Sequence, residues 1–246
     1  MVKNNIKNAC LVIIGNEILT GRTQDKNINH IAKELFKVGI LLSYVCVIPD
    51  IQKIIIKEIR RLKKNYNYVI TTGGIGPTHD DITAESISIA VGLEYKLHQG
   101  AYKELIKYYK KIKSKLSDAR KKMAYMPSSA KLIKNKVSGA PGFIIENIYV
   151  FAGIPVIVQA MMKEFIKSIK TKQKFYSSSI KTNLFESKVA HILEKAEKNF
   201  DDTSIGSYPI FDGKPNGVEI VISSIANKNN AKKARKFIQR EINKII

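Results

Sequence analysis

The chain has 246 residues, with 42 lysines and arginines against 21 acidic residues, a net charge of +21 and only two cysteines. This length suits one large domain and one small domain, which can bury a core without disulfides or a structural metal. Cys10 and Cys46 lie in separate apolar runs without C-x-x-C spacing, so we expect free buried thiols in a reducing cytoplasm. No apolar run is long enough for a signal-peptide core or a membrane span, which predicts a soluble cytoplasmic protein.

The positive charge raises the possibility of nucleic-acid binding, but the kind of basic residue argues against base reading. Only six of the 42 basic residues are arginine, whereas bidentate recognition of phosphates and bases favours arginine. We therefore interpret the lysines mainly as solvated surface. Their field would still raise the rate at which anionic substrates such as nucleotides are encountered.

The first part of the chain alternates apolar runs with amphipathic segments of helical period. The predicted strands are 9–14, 40–48 and 68–70, and the predicted helices are 26–38, 51–63 and 83–91. Strands that alternate with helices predict an α/β fold with a mostly parallel sheet covered on both sides. Ligands of such sheets bind at the carboxyl ends of the strands.

A long lysine-rich segment, 99–126, has apolar residues at helical spacing and is predicted as one amphipathic helix that covers the sheet. A lid or a nucleic-acid-binding helix is the alternative for this segment. The next predicted elements are a hairpin of 143–145 with 149–151 and a helix from 156 to 169. The apolar positions of the long segment are Tyr102, Leu105, Ile106, Tyr109, Ile112 and Leu116.

A polar and basic stretch, 170–174, predicts a linker between a domain at 1–170 and a small α+β module at 175–246. The module is expected to contain three strands and two helices in the order strand, helix, strand, strand, helix. Their predicted ranges are 179–183, 185–200, 203–208, 218–224 and 230–245.

The segment from Thr71 to Thr83 is the most informative part of the chain. It contains three glycines, Pro77 and the run Thr78-His79-Asp80-Asp81 between a predicted strand and a predicted helix. Glycines let a backbone approach a ligand closely, and the amino end of the helix attracts anions. Two adjacent aspartates would repel a phosphate unless a divalent cation lay between them, so the pattern indicates a metal-bridged phosphate.

Simpler explanations exist for the acidic residues. The glycine loop could be an ordinary turn whose aspartate caps the following helix, and Asp50, after Pro49, could equally cap the helix predicted from residue 51. The loop is neither a P-loop nor a dinucleotide-binding fingerprint, because it lacks the lysine of the first and the glycine spacing of the second.

Several motifs in the same order resemble the CinA-type, or molybdopterin-binding-like, domain. The versions with Thr-Gln-Asp and Thr-His-Asp-Asp are most similar to the amino-terminal half of eukaryotic FAD synthase, and 205–209 matches the small module that follows there. The matching runs are 15–19, Thr23-Gln24-Asp25-x-Asn27, 47–50, 73–83, 126–130, 140–143 and 153–155.

This resemblance implies a three-layer α/β/α fold of MoaB/Mog type, which is often dimeric or trimeric. It also implies two activities: metal-dependent hydrolysis of nucleotide pyrophosphates such as ADP-ribose or FAD, or binding and adenylylation of molybdopterin. Lys26, Val156 and the order Ser138-Gly139 depart from the usual family pattern. The first two lie near the expected rim of the site, so they bear on the identity of the substrate.

By resemblance to the Mog-type site, Asp50 and Asp81 are the catalytic residues. Both follow predicted strands and could share one Mg²⁺, Mn²⁺ or Co²⁺ ion, with Asp80 and Glu17 as further ligands. The lone His79 is expected not to touch the substrate, and the other histidines lack the spacing of a zinc site. The predicted substrate-binding residues are Asn16, Thr72, Gly73, Gly74, Gly76 and Thr78, with Gly139 and Gly142 opposite them.

These observations lead to three functional hypotheses. The first is a metal-dependent nucleotide pyrophosphatase, and the second is a molybdopterin-binding or adenylyl-transferring protein. The third, which we regard as unlikely, is a nucleic-acid-binding module, because the small module lacks stacking aromatic residues in its basic helix and a Gly-x-x-Gly loop. The basic residues of that helix are Lys232, Lys233, Arg235, Lys236 and Arg240.

Overall fold

The computed structural model describes residues 6–169, 174–225 and 228–245. The chain folds into two compact units: a larger one, Lys7–Phe36 with Ile40–Lys170, and a smaller one built mainly from the chain that follows. Apart from Lys174, the predicted linker 170–174 lies outside the described residues.

The larger unit is organised around a six-stranded sheet. The six strands are β1 (Asn8–Ile14), β2 (Leu41–Ile48), β3 (Tyr68–Thr72), β6 (Lys131–Ile133), β7 (Gly142–Ile145) and β8 (Ile148–Phe151). Their order across the sheet is β2-β1-β3-β8-β7-β6. Neighbouring strands β1, β2, β3 and β8 run parallel, and only β7 runs against the others. The prediction of a mostly parallel sheet is therefore confirmed.

Two further short strands, β4 (Tyr95–Leu97) and β5 (Tyr125–Pro127), pair antiparallel outside this sheet. They and β6 were not predicted, because three residues are too short to show an alternating pattern. Tyr95 of β4 and Tyr125 of β5 line the same pocket as Gly76, a residue of the loop that follows β3.

The helices of the larger unit confirm most of the predicted helical segments within one or two residues. Within the described part of the chain, none of the helices is both long enough and apolar enough to cross a membrane. The helices are α1 (Asn16–Leu19), α2 (Asn27–Lys37), α3 (Gln52–Asn65), α4 (Thr83–Val91), α5 (Gln99–Lys111), α6 (Asp118–Lys121) and α7 (Pro155–Ser168).

The prediction of one helix over 99–126 is wrong. Helix α5 ends at Lys111, Lys113 has a positive φ of 52°, and the hydroxyl of Ser117 then caps the separate helix α6. The chain continues through a 3₁₀ turn at Lys122–Ala124 into β5. Ile106 and Ile112 are 44% and 46% exposed, so the buried stripe of α5 is narrower than the sequence pattern suggests.

Helices cover both faces of the large sheet and produce three layers. Cys10, Val12 and Ile14 of β1 pack in one cluster with residues of α3 and α4, including Ile59 and Ile87. Because side chains alternate along a strand, Leu11 and Ile13 are directed to the opposite face. There Phe165 of α7 packs with its ring centroid 4.6 Å from that of Tyr149.

The two cysteines are free, as predicted, but they differ in burial. Cys10 is fully buried, whereas Cys46 is only half-buried, so the expectation of two buried thiols holds for Cys10 alone. Burial raises the pKa of the Cys10 thiol to about 12, which keeps it in the unreactive neutral form.

The smaller unit confirms the predicted α+β order. Its elements are β9 (Phe175–Thr182), α8 (Glu186–Asn199), β10 (Thr203–Phe211), β11 (Pro215–Ile225) and α9 (Lys228–Ile242). The three strands form an antiparallel sheet with the order β10-β11-β9. Val218, Ile220 and Ile222 alternate along β11 and pack against Ile192 and Ile238 of the two helices.

The contrast between Ile59 and Ile106 gives a test of the core. Ile59 is fully buried in α3, while Ile106 of α5 is 44% exposed. We expect Ile59→Ala to lower the free energy of unfolding by about 2–5 kcal/mol, because it leaves a cavity between α3 and the sheet. The matched change Ile106→Ala should cost less than about 0.5 kcal/mol. Urea denaturation followed by circular dichroism measures both, and equal losses would contradict this assignment of the core.

Candidate functional site

The loops that follow the parallel strands lie together at the carboxyl edge of the large sheet. The N–H of Gly15, after β1, donates to the carbonyl of Ile48 at the end of β2 (3.2 Å). The next N–H, that of Asn16, donates to Oδ2 of Asp50 (2.9 Å). These two bonds connect the ends of β1 and β2.

Asp50 therefore does not cap helix α3. The residue before that helix is Ile51, and no side chain caps it. The carboxylate of Asp50 instead accepts the first N–H of the short helix α1. Through this hydrogen bond, Asp50 positions the start of α1, Asn16 and Glu17, at the edge of the sheet.

The ends of β1, β3 and β8 also approach each other closely, at Gly73. This residue has a positive φ of 99°, and a Cβ atom there would overlap the carbonyl oxygen of Ile14. On the other side, the Cβ position of Gly153, after β8, is 3.4 Å from the Cα of Gly73. Only glycine fits between these two backbones.

Asn27 fixes the same loop and was not identified from sequence as a site residue. Its buried side-chain amide donates to the carbonyl of Gly153 (2.9 Å), and Oδ1 of Asp25 accepts the N–H groups of Asn27 and Ile28. The run Thr23-Gln24-Asp25-x-Asn27, which contributed to the family resemblance, thus starts α2 and holds the end of β8. The sequence signal for this role is the place of Asn27 in that motif, two residues after Asp25.

The loop from Gly73 to Ile82, which we call the phosphate loop, leads from β3 to α4. The carbonyl of Gly74 accepts the N–H of Thr83 at the start of α4 (3.0 Å). Within the described residues, the N–H groups of Gly74, Ile75 and Gly76 have no hydrogen-bond partner. Backbone donors of this kind, next to the positive end of a helix, are suited to bind an anion.

Asp81 closes this loop upon itself. Its Oδ2 accepts the N–H of Thr78 (2.8 Å) and the hydroxyl of the same residue (2.5 Å). The carboxylate lies over Gly76, where a Cβ would be only 2.6 Å from Oδ2. Neither Asp80 nor Asp81 caps α4, because Ile82 precedes that helix without a side-chain cap. The alternative explanation of these aspartates as helix caps is therefore wrong.

Asp80 is exposed beside the same threonine. The Thr78 hydroxyl, with a backbone hydrogen bond of Asp80 itself, lowers the pKa of the Asp80 carboxyl from its usual value, and the charges of His79 and Lys122 lower it further. The group is therefore ionised at neutral pH.

A small pocket lies next to Asp81, and we call it the Asp81 pocket. It encloses about 10 Å³, which is close to the space that one water molecule needs. A nucleoside cannot enter a space of this size, so a larger ligand must lie outside it. The lining residues include Gly76 and Asp81 together with Tyr95, Lys122, Tyr125, Pro141 and Phe143.

Lys122 is the basic residue of this pocket, and it was not predicted from the sequence as a site residue. Its ammonium group donates to the carbonyl oxygen of Thr78 (2.5 Å) and so holds the phosphate loop. The sequence pattern placed Lys122 inside a long helix, where a lysine is usually solvated. The nearby Tyr95 is half-buried, and the partial burial raises the pKa of its phenol to about 12, so it stays neutral.

Gly139 and Gly142 contact other parts of the protein. A side chain at Gly139 would overlap Tyr108 of α5, and one at Gly142 would overlap the carbonyl oxygen of Val150 in β8. Both glycines are explained by this packing. The loop that contains them borders the Asp81 pocket through Pro141 and Phe143 instead.

Thr72 and Thr83 bring buried hydroxyl groups to this region. Thr72 pairs with Ile13 and Phe151 inside the sheet, and its hydroxyl, like that of Thr83, is buried without a partner in the described chain. Buried polar atoms are usually satisfied by protein or by ordered water. Thr83 packs against Gly74, because a Cβ at Gly74 would overlap the hydroxyl oxygen of Thr83.

The predicted set of four carboxylate ligands is not assembled. Strand β1 lies between β2 and β3, which separates the loops of Asp50 and Asp81 by two strand spacings, or about 10 Å. The Glu17 carboxylate folds against Gly15. Among residues 6–169, 174–225 and 228–245, no group of three or more His, Cys, Asp or Glu side chains could hold a metal ion.

The larger unit matches a known family. Residues 10–171 match the family described as a probable molybdopterin binding domain. The chain belongs to this family. Residues 174–246 match the middle domain of FAD synthase, so this molybdopterin-binding-type domain precedes a module of the kind found in FAD synthase.

Relatives place the chain among the CinA-type members of the family. A crystal structure of CinA from Thermoplasma acidophilum, described as of unknown function, is 31% identical, with a TM-score of 0.61, over 67% of this chain and 98% of that one. A Pyrococcus furiosus protein, PF0476, is 36% identical over 93% of this chain and 94% of its own length. A CinA-like protein of Thermosipho melanesiensis is 34% identical over 72% of this chain but only 45% of its own length.

The close approach at Gly73 can be tested against a second glycine with positive φ. Gly92, after α4, has φ of 74° but open space around its Cβ position. We expect Gly92→Ala to lower the free energy of unfolding by about 1–2 kcal/mol through backbone strain alone. Gly73→Ala should cost about 1–3 kcal/mol more because of its overlap with Ile14. Urea denaturation of both variants measures this difference, and equal costs would show that the strand ends are not packed as described.

Proposed function

We propose that this CinA-type protein hydrolyses a nucleotide pyrophosphate of the ADP-ribose or FAD class with the help of a divalent metal ion. The proposal is supported mainly by the phosphate loop, which combines three unpaired N–H groups with Asp81. Lys122 lines the same pocket as Asp81. The binding and hydrolysis of a diphosphate require hydrogen-bond donors for its oxygens, a positive charge, and a carboxylate that can take a proton from water.

In this proposal the phosphate loop binds one phosphate of the substrate. The N–H groups of Gly74, Ile75 and Gly76 donate to phosphate oxygens, and the positive end of α4 favours the negative charge. Lys122 keeps the loop in position through the carbonyl of Thr78 and adds a positive charge at the edge of the pocket. The nucleoside part of the substrate lies outside the Asp81 pocket, which has room for about one water molecule.

Asp81 is the proposed base. Thr78 holds Oδ2 with two hydrogen bonds, while Oδ1 has no hydrogen-bond partner in the described ranges and can accept a proton from a water in the pocket. The water oxygen attacks one phosphorus, and the bond from that phosphorus to the bridging oxygen breaks. The products are two monophosphates, one of them AMP.

The carboxylates of the phosphate loop fit one kind of metal site. Mg²⁺ often keeps several waters and binds through one or two carboxylates together with substrate phosphates, and Asp81 with the ionised Asp80 can supply such ligands. When bound, the ion would neutralise phosphate charge and make a water more acidic. We therefore replace the set of four carboxylates with these two, and we assign Asp50 to the positioning of α1.

A second candidate function is the binding or adenylylation of molybdopterin. It is favoured by the match of residues 10–171 to a probable molybdopterin binding domain. Both chemistries act at a phosphoanhydride bond, so the same loop could serve either. If the protein transferred AMP from ATP to molybdopterin and released no AMP from FAD or ADP-ribose, the second function would replace the first.

The first function is tested with the purified full chain. FAD and ADP-ribose are each incubated with Mg²⁺, Mn²⁺ or Co²⁺, and the release of AMP is measured by chromatography. We expect release with at least one pair, and a loss of about a hundredfold or more in kcat for Asp81→Asn, which keeps the shape but cannot accept the proton. The matched control is Asp212→Asn, a change at an exposed aspartate in the smaller unit.

Two results would contradict the proposal. One is the absence of AMP with every substrate and metal, and the other is an unchanged rate for Asp81→Asn. Glu17→Gln adds a further comparison: if it lowered the rate as much as Asp81→Asn, the site would include the end of β1 as well.

The expected dimer or trimer, also a proposal, can be measured on the same sample by light scattering.

A further inference from the structure

Positive charge is concentrated in one part of the chain, residues 96–136, which we call the basic segment. These 41 residues contain thirteen lysines and arginines but only two acidic residues, a net charge of +11 out of +21. A sixth of the chain therefore carries about half of its net charge. If the lysines were spread evenly along the chain, this segment would carry about a sixth of the net charge. The lysine-rich composition alone therefore does not explain why the charge is concentrated here.

The charges of the basic segment are mostly free of acidic partners. Among the described residues, Lys96 is the one member that forms an ion pair, with Glu94 (2.8 Å). Lys103, Lys107 and Lys110 are exposed on α5, and their spacing places them on one face of that helix. Such a row of ammonium groups, about one helical turn apart, can contact successive phosphates of a polyanion.

The basic segment reaches the Asp81 pocket through Lys122. Lys122 contacts Thr78 of the phosphate loop, and the neighbouring Lys121 lies over the ring of Tyr102 in α5 (5.5 Å to the centroid). The start of α5 is also tied to this region, because the N–H of His98 donates to Ala124 (2.9 Å). The pocket, the turn at Lys122 and the lysine face of α5 therefore belong to one connected part of the larger unit.

We propose that the substrate is an RNA whose 5′ end is a nucleotide pyrophosphate, with the cap at the phosphate loop and the RNA backbone along the basic segment. This inference rests on the proposed hydrolysis and names its substrate class. A polymer with one negative charge per nucleotide fits a row of lysines, and lysine contacts phosphates without reading bases. Binding would thus depend on the cap and on charge, and not on RNA sequence.

The reaction on such a substrate is a hydrolysis and needs no further reactant. With an FAD-capped RNA, the oxygen of water bonds to one phosphorus and the bond between that phosphorus and the bridging oxygen breaks. The products are FMN and an RNA with a 5′ monophosphate, and two protons are released at neutral pH. No group is oxidised or reduced.

The test compares free FAD with a 20-nucleotide FAD-capped RNA on the full chain, with Mg²⁺ or Mn²⁺ at about 50 mM salt. We expect kcat/KM to be at least tenfold higher for the capped RNA, mainly through a lower KM. This advantage should fall steeply as salt rises, because lysine contacts with phosphates release counterions. The ratio of the two kcat/KM values is the measured quantity, since it cancels changes in the fraction of active protein.

Matched triple variants locate the surface. The substitutions K103Q, K107Q and K110Q together should lower the ratio about tenfold and reduce the log–log salt slope of RNA binding by about two, at roughly 0.7 per lost contact. The control substitutions K232Q, K233Q and K236Q remove three exposed lysines from α9. They should leave the ratio within twofold.

The outcomes separate this inference from the function on which it rests. If free FAD is hydrolysed but the capped RNA is no better, or both triple variants behave alike, the RNA inference is wrong and the hydrolysis stands. If neither substrate is hydrolysed, the proposed function fails and the inference fails with it. Tighter binding to vesicles of 70% phosphatidylcholine and 30% phosphatidylserine than to the RNA would assign the basic segment to a membrane surface and overturn the proposal.

Discussion

The candidate site depends on one close backbone contact. Gly73 fits between Ile14 at the end of β1 and Gly153 after β8, in a conformation with positive φ that other residues rarely adopt. Any side chain there would push apart the ends of neighbouring parallel strands. Because the chain turns so sharply at this point, the next N–H groups lie free of the sheet ladder, and they are the donors that an anion could use.

The remaining contacts at this edge hold the strand ends and the phosphate loop in the same arrangement. The bond from Asn16 to Asp50 holds the end of β1 to that of β2, and Asn27 holds the loop after β8. Thr78 and Lys122 fix the far side of the phosphate loop. Each of these polar residues is thus engaged by a hydrogen bond at the edge, and these bonds hold the ends of the loop in place without a ligand. A rigid set of donors loses less entropy on binding than a mobile one.

The sequence predicted the elements with strong periodicity and the edge at which the site lies. Helix α4 was placed within the same bounds, Thr83–Val91, because glycines and a polar run precede a clear apolar pattern. What could not be predicted depends on long-range pairing. The order β2-β1-β3 separates Asp50 from Asp81, and no local pattern reveals that β1 lies between them. Likewise Lys122 had the appearance of a helical surface residue until the break after α5 was known.

The electrostatics of this edge favour an anion more clearly than a cluster of carboxylates would. Four carboxylates around one point would repel a diphosphate at every stage before a metal ion arrived. Here Asp81 accepts two hydrogen bonds from Thr78, Asp50 accepts one from Asn16, and a segment of charge +11 lies alongside. The attraction between one such positive charge and a phosphate charge several ångströms away is only about 1 kcal/mol in water, but it is larger near a low-dielectric surface. In the proposed reaction, the phosphate loop would therefore attract the nucleotide first, and the metal ion would bind together with it.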